Sequence, residues 1–200
     1  MKTLLGATAL IGAALAVSTA SAATMSAGPG GFDGGFATTI TYDDAAARGT
    51  VNNRDNPLNA LGATDGNFFE IGLGSTVEFQ FGTLFQGSGT VVEVTFGNPA
   101  NHPESVEIFA GIAGDESSFV AVDQVSVSNT NAQGPAGVSF TFAGGPYDTL
   151  RFTDTTVSNA ATGGFDIDAV SVSPVPLPAG LLLLGTAMAG LGAMRRRKSA

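Results

Sequence analysis

The chain has 200 residues, 17 acidic against 8 basic side chains, a formal net charge of −9, 44% hydrophobic residues and only 12% charged ones. It contains no cysteine, no tryptophan and one histidine, which excludes a disulfide scaffold, a thiolate metal site, a thiol nucleophile and a multi-histidine metal centre. The acidic balance argues against nucleic acid, whose phosphates need a basic face, and the length suits one domain of ordinary size.

Met1-Lys2 opens the chain, and an uncharged Leu/Ala/Gly-rich run follows from Leu4 to Val17, ending in Ala20-Ser21-Ala22. A basic start, a short apolar stretch and an A-x-A site are the parts of a secretory signal peptide. Ala20 and Ala22 supply the small side chains that signal peptidase requires, so residues 1–22 are expected to be removed after Ala22. Residues 23–35 are small and Gly-rich and read as a flexible segment.

Residues 36–174 show short alternating runs punctuated by Gly, Asn, Asp and Pro, the pattern of an all-β domain. Thr38, Ile40 and Tyr42 alternate with Thr39 and Thr41. Val77, Phe79 and Phe81 oppose Glu78 and Gln80; Val92, Val94 and Phe96 oppose Glu93 and Thr95. Val106, Ile108 and Ala110 oppose Glu107 and Phe109; Val138, Phe140, Phe142, Leu150 and Phe152 continue the pattern. In each strand the apolar set is expected to face the core and the polar set water. Two runs slip phase, one across Asp123-Gln124 and one between Ile167 and Val170, and each slip predicts a β-bulge. Eight or nine short strands without an amphipathic helix predict a jelly-roll β-sandwich.

The stretch from Asn56 to Phe69, with its Asp65-Gly66 turn, resembles an opening segment of discoidin-like, galactose-binding-fold modules. Phe165-Asp166-Ile167-Asp168-Ala169-Val170-Ser171-Val172 is similar to their closing strand. The resemblance implies a calcium ion held by Asp168, with Asp43 or Asp55 from the first loops as further ligands. Calcium takes six to eight oxygen ligands, and Asp and Asn are also the ordinary residues of solvated turns. His102 lies in Asn101-His102-Pro103 without a Gly-x-Ser-x-Gly elbow, so a Ser/His/Asp site has no support. For a glycan surface, Tyr42 and Tyr147 are candidates, and Phe68, Phe69, Phe85 and Phe109 break the inward phase and are expected to be exposed.

At the C-terminus, Val175-Pro176-Leu177-Pro178-Ala179 precedes an uncharged run to Met194 and then Arg195-Arg196-Arg197-Lys198. As a helix, residues 177–194 span about 27 Å, enough to cross a thin hydrocarbon core, and the cations after it are expected to stay on the cytoplasmic side. Residues 175–200 resemble the PEP-CTERM sorting signals in their VPLPA-CTERM variant, in all three parts. That resemblance implies a Gram-negative bacterium, cleavage near the proline motif by an exosortase, and delivery to the outer surface or extracellular matrix.

All 17 acidic residues fall between these two ends. With Arg48, Arg54 and Arg151 its three basic residues, the exported part carries −14. The expectation is a non-catalytic adhesive, structural or glycan-binding module with extracellular polysaccharide as partner. A secreted hydrolase of a surface polysaccharide and a permanently membrane-anchored scaffold are the alternatives.

Overall fold

The computed structural model describes residues 22–26, 35–50, 53–95, 103–128, 134–157 and 163–176. Among them the protein is an antiparallel β-sandwich of jelly-roll type, with 3₁₀ geometry in its loops and no α-helix. The strands are β1 (Ala22–Ser26), β2 (Thr39–Asp43), β3 (Phe69–Glu70), β4 (Thr76–Thr95), β5 (Ser105–Ile112), β6 (Asp115–Ser128), β7 (Gly134–Asp154) and β8 (Asp166–Pro174). The expected membrane segment, residues 177–194, and most of the signal peptide lie outside the described residues; among those described, no helix is long and apolar enough to cross a membrane.

Two long strands build both layers. The first part of β4 lies between β2 and β7, and its second part lies between β7 and β8. Register breaks between Gln80 and Gly87 mark where β4 turns from one layer to the other, since an interrupted ladder lets a strand bend. The strand order through the first layer is β1-β2-β4-β7-β5-β6, while β3 and β4 flank β8. Ala22–Ser26, the start of the segment read as a flexible linker, is paired along its length with β2. The predicted signal-peptidase cut therefore falls at the first residue of β1.

The core is rich in phenylalanine. Phe81, Phe85, Phe142 and Tyr147 meet near the bend of β4, with edge-on ring contacts of 5.1 Å for Phe81–Phe85 and 5.6 Å for Phe85–Phe142. Phe79 and Phe152 make a similar contact at 5.3 Å between β4 and β7. Such contacts add to the area that these rings remove from water.

Both predicted bulges are present. Glu107 pairs Ser126 while Phe109 pairs Ala121, so β6 carries extra residues across Asp123-Gln124. On β8, Ala169 pairs Val92 but Ile167 pairs Glu93, leaving Asp168 as the extra residue. Other expectations fail. Phe68, Phe69 and Phe85 are fully buried rather than exposed, and Tyr42 and Tyr147 are also core residues. Val120, in phase with the buried Val122, is 43% exposed. The second half of β4 runs in the opposite phase to that expected: Val91, Glu93 and Thr95 point inward. Val94 is buried too, while Thr90 and Val92 on the same face are only partly buried.

Candidate functional site

Asp168, the bulged residue of β8, has both carboxylate oxygens occupied by backbone. The Asp65 and Gly66 N–H groups each donate to it at 3.1 Å. Asp65 in turn accepts from the Asn67 backbone N–H at 2.8 Å, and Gly66 has φ +84, a left-handed conformation that suits glycine. Burial raises the Asp168 pKa, and the two N–H bonds oppose that rise. The carboxylate thus clamps the opening turn onto the closing strand, with a span of about a hundred residues between the partners.

The other predicted ligands do not join it. Asp43 ends β2 and accepts from the Ala45 N–H in a local turn, while Asp55 is exposed in the loop before the 3₁₀ turn Pro57–Ala60. Among the described residues, no three His, Asp or Glu side chains are gathered as a group ready to hold a metal. Ala22 begins β1 and is exposed. Val175 donates its N–H to the Leu84 carbonyl at 2.9 Å, so the sandwich reaches into the VPLPA sequence. Of the remaining sorting residues, Pro176 is described, while Ala20, Leu177, Pro178, Ala179, Arg195, Arg196 and Arg197 lie outside the described residues, as does His102.

A surface not singled out from the sequence stands on the outer face of the six-stranded layer. Strand registers align Thr24, Thr41, Glu78, Arg151, Phe109 and Ala121 in one row across β1, β2, β4, β7, β5 and β6. All six are partly or fully exposed. Hydroxyl pairs flank the centre: Thr24 with Thr41 at 3.0 Å, and Thr76 with Thr153 at 3.1 Å.

Arg151 organises the middle of this face. Its Nε and Nη2 donate to Glu78 Oε1 at 2.9 and 2.6 Å, and its guanidinium grips both oxygens of Glu116. Its charge centre lies 3.8 Å from the centroid of the Phe119 ring, which itself packs on the bare backbone of Gly111. The Glu116 bond holds the Arg151 pKa above its ordinary value, and the same bond lowers that of Glu116. Planar guanidinium, aromatic ring and paired carboxylates form a pre-organised cluster of donors and acceptors.

Two shallow clefts flank the row. One, of about 310 Å³, is lined by Gln80, Gly82, Thr83, Leu84, Ala113 and Asp148. The other, of about 470 Å³, includes Thr41, Asp43, Ser75, Thr76 and Glu78. Glu78 and Gln80 are successive outward residues of β4, so the clefts lie on either side of the row on one continuous face. In the sequence the only trace is a recurring Thr, Gln, Glu or Arg at outward positions. That pattern is shared by any solvated sheet face, and only the register shows which of these residues adjoin.

No protein-family model matches the chain, and no curated protein matches it. Solved structures similar to it include two that contain the CBM32 of AlyQ. One is described as the CBM32 of AlyQ in complex with 4,5-unsaturated mannuronic acid, at 20% identity and a TM-score of 0.41, covering 66% of this chain and 95% of that one. The other, truncated AlyQ with CBM32 and alginate lyase domains, has 20% identity and a TM-score of 0.42, covering 68% of this chain and 34% of that one.

Proposed function

We propose that this is an exported, non-catalytic β-sandwich that binds glycan through the outer face centred on Arg151. The observation that carries the reading is the cross-sheet row Thr24–Thr41–Glu78–Arg151–Phe109–Ala121 between two clefts. A sugar presents hydroxyls on its edges and an apolar C–H face. Rigid hydroxyl, guanidinium and carboxylate groups suit the first, and the partly exposed Phe109 ring suits the second. The charge of −14 on the exported part favours neutral or cationic glycans over polyuronates.

Glycan-array binding of the full chain, followed by affinity electrophoresis, tests this. Arg151→Ala and Phe109→Ala should each weaken binding about tenfold, equivalent to about 1.4 kcal/mol, while Ser88→Ala on the other layer should leave it unchanged. Binding that survives both face variants would refute the site, and the absence of any bound glycan would refute the reading.

The route to the surface is proposed from the chain's ends: removal of residues 1–22 by signal peptidase, then recognition of Val175–Ala179 by an exosortase and release from the membrane helix. Mass spectrometry of the native protein should find neither Met1 nor the Arg195–Lys198 end. An intact basic end on the surface protein would instead establish a permanent anchor.

A further inference from the structure

The chain leaves the sandwich at a corner. Pro174 of β8 pairs Phe85 in the bend of β4, and Phe85 pairs Tyr147 of β7 on its other side. One residue further, Val175 donates its N–H to the Leu84 carbonyl at 2.9 Å. Only Pro176 stands between Val175 and Leu177, where the apolar run to Met194 begins.

Charge is segregated about this corner. β4 carries no charged side chain from Phe79 to Val92, β7 none from Gly137 to Tyr147, and the chain none from Ala169 to Met194. The first two stretches and the end of β8 meet here. Leu84 projects from the bend of β4, 46% exposed, and Ala143 and Pro146 are exposed in the adjoining bend of β7. The acids of this end lie across the cleft from Leu84, towards the outer face: Asp148 accepts from the Ala113 N–H, and Glu116 holds Arg151. Leu73 and Val157 are also exposed. They belong to the opposite end of β4, where Asp43 shares a cleft with Gly74 and Thr76 and Asp154 binds the Gly74 N–H.

We propose that the uncharged corner around Leu84 and Pro146 rests in the headgroup layer of a lipid bilayer, an inference that builds on the reading of residues 177–194 as a membrane span. Two residue steps, from Val175 to Leu177, reach at most about 7 Å. The headgroup layer on one side of the hydrocarbon core is about 5–8 Å thick. With Leu177 at the edge of the core, no length of chain is left for the sandwich to stand away from the membrane. Charged side chains enter such a layer at a cost, whereas leucine, proline and alanine enter readily. The acid-rich opposite end is then carried beyond the reach of anionic lipid, which salt screens within about 8–10 Å.

The chain contains no tryptophan, so one introduced indole reports its own surroundings. The test reconstitutes three full-length variants, Leu84→Trp, Val157→Trp and Leu184→Trp, in phosphatidylethanolamine–phosphatidylglycerol vesicles with and without brominated acyl chains. Leu184→Trp should be strongly quenched and reports the span by itself. Leu84→Trp should lose roughly half its fluorescence, as an indole at the acyl boundary does, and should emit to the blue of an unquenched Val157→Trp. Both surface positions are exposed, so each ring fits without disturbing the core, and the preference of indole for interfaces is common to both. Quenching at position 184 but not at 84 would overturn the seated corner and leave the anchor standing. No quenching at 184 would remove the anchor and this inference with it. Equal quenching at 84 and 157 would also overturn it, because no single corner would then face the lipid.

Discussion

Both oxygens of Asp168 are spent on backbone N–H groups of a turn far away in sequence, so this carboxylate is a structural clamp. Asp168→Ala would leave the Asp65 and Gly66 donors of the exposed turn without their part-buried acceptor. A loss of about 1–3 kcal/mol is expected, measurable as a lower urea midpoint at unchanged slope. Retained stability would show that the turn holds without the carboxylate. Gly164 is a comparable residue-scale constraint: a Cβ there would meet the backbone of Gly72 at 2.7 Å. The Gly163-Gly164 pair is visible in the sequence, yet nothing local says that another chain segment crosses so closely. Likewise the Asp166/Asp168 pattern stands out, but not that one acid is clamped by backbone and the other is left with a free oxygen.

At the scale of elements, alternation located most strands, because a strand with one face on a core must repeat with period two. Val77-Phe79-Phe81 and Val106-Ile108-Ala110 are inward as read. The phase slips in β6 and β8 were also legible, since an added residue moves every later side chain to the other face. The second half of β4 was not. Val92-Val94-Phe96 looks like the apolar phase, yet Val91, Glu93 and Thr95 are the buried set and Val92 is only partly buried. With valines on both phases at 91, 92 and 94 and a glutamate on the inward one, alternation cannot identify the inside. The burial of Phe68, Phe69 and Phe85 has the same cause: each departs from simple alternation beside a turn or bend, where local periodicity is silent.

For the whole molecule, the buried acids set a pH dependence. Glu93, Asp166 and Glu104 are raised to about 7, 8 and 9, first by burial, while unfolded carboxyls titrate near about 4. Arg54 opposes the shift at Asp166, and Glu70 and Asp154 add to it. Between those limits the folded state holds more protons, so its contribution to stability is fully present below about 4 and is lost as pH climbs through about 7–9. The protein should therefore melt at least about 5 °C lower at pH 9 than at pH 6. A flat profile would contradict the burial of these groups as acids.

Composition and charge placement already excluded thiol chemistry and a basic nucleic-acid face. They also showed that the −9 of the chain conceals −14 on residues 23–174, between two basic ends. These properties are local or additive, as is the alternation that gives an all-β domain, so the order of residues is enough to read them. The row across six strands, the clamp on Asp168 and the burial of Glu93 and Asp166 depend on register and layer. Those are settled by contacts between segments distant in the chain, and they exist only once the sandwich has closed.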